Sequence, residues 1–587
     1  MDGFSIIMPT YNDAFFIRRA IHSVFEQSYK SWELIIINDG STDLTDEIIK
    51  DYQEDQRVIY LKNINNEGVS YSINRGLEIA HYDYIAYLPS DDYYFKDHLN
   101  LLKRELDADK NIVLTFTAAK YNIKDSFTST YAKTSLKQEF GNLFCDSDLQ
   151  LVQTAHKKTQ DRWDIDKLLS PKNYFNLFWI KLVDKGLFSS VNKTTCCWST
   201  YYEEESQHIS NTLKPGVKLL KEEKIYNRQC CISNKKLKIL LVGDLSYNSD
   251  RILALKDYGH ELYGLWAESC EWSTNGDHLG IKNIPLNDWN KGVERLEPDI
   301  IYALLNHMSI PVAYEVLTQT NIPFIWHYKE GPYVAMIEGN WQKLLELYMY
   351  SDGQIYLNEE VKNWFELFFS KKEKPLSIIL DGDLPSVQYF NKKSEVRKIS
   401  EIDGEIHTVV AGRIMGFNLK DIRAIFQQKI HIHVYGQESQ MLYNIAQENP
   451  YYFHLHKSCM ASDWKDEFSK YDAGWLHYFQ SQNNGELVRA NWDDLNIPSR
   501  INTMFAAGIP SIQKDNTGHI VAIQNIIKKL DCGVFVSDLE KLSDQIYNKE
   551  RMSDLEKNVK KHQDLFSFEY HISALLSFFY EVIESKS

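Results

Sequence analysis

Four times in its first 95 residues this chain runs an apolar stretch straight into a polar cluster. "FSIIMP" meets "TYND", "WELIII" meets "NDGSTD", "VIYLK" meets "NINNEG", and "YIAYLP" meets "SDD". Amphipathic segments lie between them, at 14–28, in "DLTDEIIKDYQ" and in "GVSYSINRGLEIA". Continuous apolar strands alternating with amphipathic helices predict a parallel α/β sheet covered on both faces. Ligands of such sheets gather beyond the carboxyl ends of the strands. All four polar clusters fall there.

From about 135 to 230 the alternation loses its regularity, and at "LKILLVGDLS" it starts again. "DIIYALL", "IPFIWHY" and "GQIYLN" continue it, then "HTVVAGRI", "IHIHVYG", "AGWLHYF" and "GIPSIQ". At 587 residues the chain is too long for one core. The reading is three α/β units, 1–232, 237–390 and 391–587, with the last amphipathic segment, "FEYHISALLSFFYEVIE", crossing back to the earlier lobe. A net charge of −16 argues against a broad nucleic-acid surface. The eight cysteines include no C-x-x-C pair and read as reduced thiols of a cytoplasmic protein. Neither a signal peptide nor an apolar run of membrane-spanning length is found, which leaves peripheral association with the inner face of a membrane open. The 36 tyrosines suit a carbohydrate or lipid-headgroup neighbour.

Read alone, Asp39 is either a turn and helix cap or an acceptor for a ligand; Asp91 and Asp92 are either a strand-ending turn or a seat for a cation. The series "SIIMPTYN … LIIINDGSTDLT … NNEGVSYSINRG … YIAYLPSDD" resembles the N-terminal region of family 2 glycosyltransferases, which have the GT-A fold. The resemblance implies an inverting, metal-dependent transfer of sugar from a nucleotide-diphosphate sugar, UDP-sugar first, to a glycan, glycolipid or glycoprotein acceptor, as in bacterial polysaccharide biosynthesis. It implies that Pro9, Thr10, Tyr11 and Asn12 hold the nucleoside, that Asp39 pairs with the base edge beside Gly40, and that Asn66, Gly68 and Asp91 continue the donor site. Magnesium or manganese would sit on Asp91 with Asp92 second, because Pro89 occupies the motif's first aspartate position. Ile73 stands where the family often has a basic residue, and Arg75, on the same helix, would point elsewhere. The base that takes the acceptor's proton falls among Glu203, Glu204 and Glu205, with Glu204 and Glu205 favoured; the rival reading is a solvated helix start.

"LKILLVGDLS", "IILDGDLPSVQYF", "VVAGRI", "HVYG" and "DDLNIPSRINTMFAAGIPSI" resemble GT-B glycosyltransferases, whose two Rossmann-like lobes use no metal. The resemblance implies donor-phosphate contacts from Arg413 and Arg500, with Gly436 lining the cleft and Ser499 either on a phosphate or capping a helix. Thr503 occupies the position of the retaining families' glutamate, which leaves stereochemistry and activity of this half open. His327, with Lys329 and Glu330 nearby, reads as a sugar contact, a base or a structural hydrogen-bonder. The whole is expected to be a bifunctional hexosyltransferase-type enzyme; the alternative is one active GT-A unit followed by a non-catalytic glycan-binding or docking module.

Overall fold

The computed structural model describes residues 1–121, 130–131, 149–165, 178–179, 181–182, 185–199, 236–243, 249–266, 281–330, 332, 335, 339–368, 375–390, 396–436 and 439–586. The chain divides into two compact units. The first comprises Met1–Glu222 together with Pro332–Met349 and Asn363–Lys374; the second comprises Glu223–Gly331, Tyr350–Lys362 and Pro375–Ser587.

The first unit is built on a mixed sheet of nine strands: β1 (Phe4–Thr10), β2 (Trp32–Asn38), β3 (Val58–Lys62), β4 (Tyr84–Tyr87), β5 (Tyr93–Tyr94), β6 (Ile112–Tyr121), β7 (Thr130–Tyr131), β8 (Thr154–Lys157) and β9 (Leu187–Trp198). The order is β3-β2-β1-β4-β8-β6-β9-β5, with β7 on β6. β1 to β4 are mutually parallel, as the alternation predicts. Beyond β4 the sheet departs from the parallel expectation, because β8 runs antiparallel to both β4 and β6, and β5 antiparallel to β9. β6 and β9, by contrast, run parallel, so the sheet is mixed.

Strand alternation sorts the core onto both faces. Phe4, Ile6 and Met8 of β1 pack with Ile17, Ala20, Ile21 and Val24 of α1 (Ile17–Phe25), whose 3–4 spacing gives it one apolar stripe. Ile7 points the other way, to Ile73 and Leu77 of the next long helix, with Trp163, Phe178 and Trp179 in the same cluster. Burial of each such side chain is worth about 1.5–3 kcal/mol. Ile73 is fully buried in that cluster, so the position that often carries a basic residue here serves the core.

The second unit contains two parallel sheets. One has seven strands, β10 (Lys238–Gly243), β11 (Glu261–Trp266), β12 (Lys282–Asn283), β13 (Ile300–Leu305), β14 (Phe324–Tyr328), β15 (Gly353–Tyr356) and β16 (Leu376–Ile379), in the order β12-β11-β10-β13-β14-β15-β16. The other has six, β17 (Ile406–Ala411), β18 (Ile430–Tyr435), β19 (Phe453–His456), β20 (Ala473–Trp475), β21 (Ser511–Lys514) and β22 (Gly533–Val536), in the order β19-β18-β17-β20-β21-β22. Both wind outward from their first strand, the doubly wound Rossmann order. The C-terminal helix, Phe568–Lys586, buries Phe568, Ile572, Leu575, Phe578, Phe579, Val582 and Ile583 in the core of the seven-stranded sheet. No helix among the described residues is long and apolar enough to cross a membrane.

Candidate functional site

In an open α/β sheet the crevice opens where strand order reverses, between the first strand and its later neighbour. In the first unit that point lies between β1 and β4, so the residues after each should meet. They do. The Ser90 hydroxyl donates to the Asp13 carboxylate and, at 3.3 Å, to the Pro9 carbonyl. The next loop joins in: the Asn12 amide donates to Ser41 Oγ at 2.9 Å, Thr42 N to Asn12 Oδ1 at 2.9 Å, and Ala14 N to Asp43 Oδ2 at 3.1 Å. Asn12 takes a left-handed conformation, φ 57°, to make these contacts. Thr10 is buried, while Tyr11 is exposed at the rim.

Asp39 ties the second loop to the third. Its Oδ1 accepts from Asn63 Nδ2 at 2.5 Å and Glu67 N at 3.0 Å, and its Oδ2 accepts from Gly68 N at 2.8 Å. It is therefore neither a cap for the following helix nor a fully free acceptor; its carboxylate organises the loop that carries Asn66 and Gly68. Asn66 itself is exposed. Gly40, at φ 74°, is needed for the approach, because a Cβ there would lie 2.7 Å from the Asn65 carbonyl carbon. Arg75 points back to Asn63 Oδ1 and, at 3.2 Å, to the Lys62 carbonyl, so it braces this loop.

At the reversal point Asp13, Asp91 and Asp92 lie near enough for their charges to interact. Asp92 is buried, and its Oδ1 accepts from Ser199 N at 2.8 Å, fixing the end of β9 beside the motif. Arg19 donates to the Asp91 carbonyl at 2.7 Å, and Ser199 Oγ donates to the same carbonyl at 2.8 Å. The Asp91 carboxylate accepts no hydrogen bond from another described residue. Burial raises the pKa of Asp91; burial and the neighbouring Asp91 charge raise that of Asp92. Asp13 is pushed up to about 8 by burial, then by the Asp91 charge, against the Ser90 hydrogen bond. Like charges held this close out of water favour protonation or a cation. The donors are oxygens throughout, a set that fits magnesium or manganese. Asp13 and Ser199 are missing from the sequence reading: "TYND" contains Asp13, but only the adjacency of β1 and β4 marks it. Glu203, Glu204 and Glu205 lie outside the described residues.

In the six-stranded sheet the reversal point lies between β17 and β20. Arg413 follows β17 and His477 follows β20. Arg500 opens the helix Arg500–Ala507, which ends on Gly508 at φ 74°. Its Nη2 donates to the Arg413 carbonyl at 2.5 Å, and among the described residues its Nη1 is buried without an acceptor. Burial and the Arg413 charge lower Arg500 to about 10; burial and both arginines lower His477 to about 4. Ser499 is exposed and does not cap the helix. Gly436 turns the chain after β18 at φ 79°, donating to the His456 carbonyl. Thr503 is buried within the helix.

His327 is buried and hydrogen-bonds Tyr302 Oη at 2.8 Å and Arg251 Nη1 at 3.2 Å. Burial first, then Arg251 and Lys329, lower its pKa, which makes it a neutral structural partner. Lys329 pairs with Asp383, and Glu330 Oε2 meets His307 Nδ1 at 2.7 Å. Asn502 Nδ2 donates to the Asp383 carbonyl at 2.9 Å, linking this cluster to the arginine helix.

Four loops gathered on an acidic strand end, in this strand order, define a GT-A-like domain. The family model for glycosyl transferase family 2 matches residues 5–164. The chain is 30% identical over 217 residues to the UDP-Glc:alpha-D-GlcNAc-diphosphoundecaprenol beta-1,3-glucosyltransferase WfaP of Escherichia coli, covering 36% of this chain and 80% of that protein. It belongs, through its N-terminal unit, to glycosyl transferase family 2. It is also 37% identical over 124 residues to the putative teichuronic acid biosynthesis glycosyltransferase TuaG of Bacillus subtilis, covering 21% of this chain and 48% of that protein. Of the glycosyltransferase GlyA of Streptococcus pneumoniae it spans only 15%. A glycosyltransferase structure from Rickettsia africae aligns over 60% of this chain and 99% of its own, at 12% identity and a TM-score of 0.43.

Proposed function

We propose that the first unit transfers a sugar, with inversion, from a nucleotide-diphosphate sugar to a glycan, lipid-linked or protein-linked acceptor in a divalent-metal-dependent reaction. The observation that carries this reading is the Asp91 carboxylate, unengaged by other described residues and set beside Asp13 and Asp92 where the strand order reverses. Asp91 would hold magnesium or manganese with Asp92 behind it, and the ion when bound supplies Lewis-acid relief of charge on the departing diphosphate. The chain's own residues do the rest. Pro9, Thr10, Tyr11 and Asn12 frame the nucleoside; Asp39 holds Glu67 and Gly68 in place and presents its remaining lone pair to the base; Asn66 and Gly40 border the entrance. A glutamate among 203–205 would take the acceptor proton. A UDP-sugar is the preferred donor and a diphosphoundecaprenol-linked saccharide a reasonable acceptor, because WfaP, 80% of whose length this chain covers, is named for that pair.

For the second unit we propose a GT-B-type transferase without a metal, its donor diphosphate met by Arg413, Arg500 and His477. The buried, unpartnered Arg500 Nη1 supports this reading, since a buried guanidinium N–H without an acceptor is costly and an anion would satisfy it. The rival, a non-catalytic glycan-binding module, predicts glycan binding without turnover.

The test is turnover of a panel of nucleotide sugars with and without Mn²⁺, using the full chain and Asp91→Asn and Arg500→Ala variants. Asp91→Asn should abolish the Mn²⁺-dependent activity and leave any metal-independent activity intact. Retained Mn²⁺-dependent turnover in Asp91→Asn would return the aspartates to a simple turn.

A further inference from the structure

Outside both reversal points, the second unit carries an array of imidazoles that neither proposed reaction uses. His407 on β17, His431 and His433 on β18, and His454 and His456 on β19 project from one face of three adjacent parallel strands. The register pairs His407 with His431 and His433 with His454, and the first pair stacks with ring centroids 4.0 Å apart. Two hydrogen-bonded rows result. In one, Asp403 Oδ2 meets His407 Nε2 at 2.9 Å, His407 Nδ1 meets His433 Nε2 at 2.9 Å, and His433 Nδ1 meets His456 Nε2 at 2.9 Å. In the other, Glu405 Oε2 meets His431 Nε2 at 2.9 Å, and His431 Nδ1 meets His454 Nε2 at 3.1 Å.

We propose that the head of these rows is a binding site for a divalent transition ion of the zinc class, with Asp403, His407 and His431 as ligands and Glu405 as the carboxylate beside it. One carboxylate oxygen and two ring nitrogens, from Asp403, His407 and His431, already lie within 4.8 Å of one another. Tetrahedral coordination at about 2.0–2.2 Å asks for ligand separations of roughly 3.3–3.6 Å, so adjustments of the order of an ångström complete the site. Imidazole with carboxylate selects zinc, cobalt or nickel over magnesium. The side chain of Asp403 is 36% exposed, whereas those of His407 and His431 are 5% and 4% exposed; the ion therefore has an entry side and a protected seat.

Proton positions support the assignment. Without an ion, each ring in a row carries its proton on Nε2 and passes a hydrogen bond toward the carboxylate. Moving every proton to Nδ1 reverses the row, leaves each ring neutral, and frees the Nε2 lone pairs of His407 and His431. His433 and His454 then accept from the ligands' Nδ1–H groups, the outer support that metal-bound histidines ordinarily require. Burial favours the neutral ring at His407, the ligating form. Bound there, the ion would staple the turn holding Asp403 and Glu405 to β17 and β18.

The test uses the full chain, purified with a tag free of histidine and stripped of metal, titrated with Co²⁺ and followed by visible d–d absorption. One equivalent should give the bands of a four-coordinate site, and Zn²⁺ should displace them. Asp403→Asn, at an exposed side chain, and His431→Gln should each weaken Co²⁺ binding at least tenfold, with circular dichroism unchanged for Asp403→Asn. Asp91→Asn should leave the bands in place, which separates this site from the proposed catalytic metal. Absence of a stoichiometric Co²⁺ signal, or an affinity unchanged in Asp403→Asn, would overturn the assignment.

Discussion

Replacing Asp39 with asparagine isolates what this residue does. Its carboxylate accepts three hydrogen bonds, from Asn63 Nδ2, Glu67 N and Gly68 N. An amide of the same shape keeps one oxygen, so it can still serve Asn63 and Glu67 but turns an NH₂ group toward the Gly68 N–H. The stranded donor costs about 1–3 kcal/mol, and the other two bonds each lose roughly 1 kcal/mol as they change from charge-assisted to neutral. The sum is about 3–5 kcal/mol, or on the order of a hundredfold to a few thousandfold in the opening equilibrium of the Asn63–Gly68 loop. Hydrogen exchange followed by mass spectrometry on a peptide spanning this loop reads that change directly. The expected result is exchange at Glu67 and Gly68 faster by at least tenfold, with the β1 amides unaffected. Donor KM should rise more than kcat falls, because the loop borders the donor and not the reacting bond. An exchange rate within threefold of the parent would refute the reasoning, since the three hydrogen bonds could not then be holding the loop.

Gly353→Ala places a Cβ 2.6 Å from Val582 Cγ2 and 2.9 Å from Phe578 Cζ; overpacking there should cost about 1–3 kcal/mol, lower the melting temperature and speed exchange in the C-terminal helix, and Val582→Ala should partly restore both. Arg500→Lys keeps the charge but loses the planar fork, so the affinity for inorganic pyrophosphate without metal, measured calorimetrically, should fall about tenfold. His98 and His156 are fully buried, and burial pushes them down to about 3 and about 4. Both favour the neutral ring, so their contribution is complete above the unfolded value near pH 6.5 and is lost progressively as pH falls from there to those lower values; at pH 5 the two together cost about 4 kcal/mol, which His98→Gln and His156→Phe should each halve in an acid-unfolding series.

The strand ends were legible because an apolar run that stops at a polar cluster carries both the element and its boundary. Which strands would be neighbours was not. Asp13 and Asp91 are 78 positions apart, and only the β1–β4 pairing brings their loops together. His477 is similar: it follows a three-residue strand, and its meeting with Arg413 depends on β20 lying beside β17. The antiparallel pairings of β8 and β9 escaped because both strands lie beyond residue 135, where the alternation loses its regularity. The histidine array did carry a signal. "IHIHVY" and "FHLH" repeat histidine at the two-residue period of a strand face. What they lack alone is the register that sets His433 against His454.

The same sheet rule leads to opposite electrostatics in the two units. Where β1 and β4 part, the side chains are carboxylates, and burial already raises the pKa of each; a diphosphate could approach them only with a cation between. Where β17 and β20 part, the groups are Arg413, Arg500 and His477, and burial first, then charge repulsion, lowers Arg500 and His477. There an anion relieves strain that a metal ion would worsen. On the proposed reading, chelation should therefore separate the two activities. EDTA should abolish nucleotide-sugar turnover that depends on Asp91 and leave turnover or pyrophosphate binding that depends on Arg500 within twofold. Loss of both together would mean that the arginine cluster does not handle the diphosphate unaided.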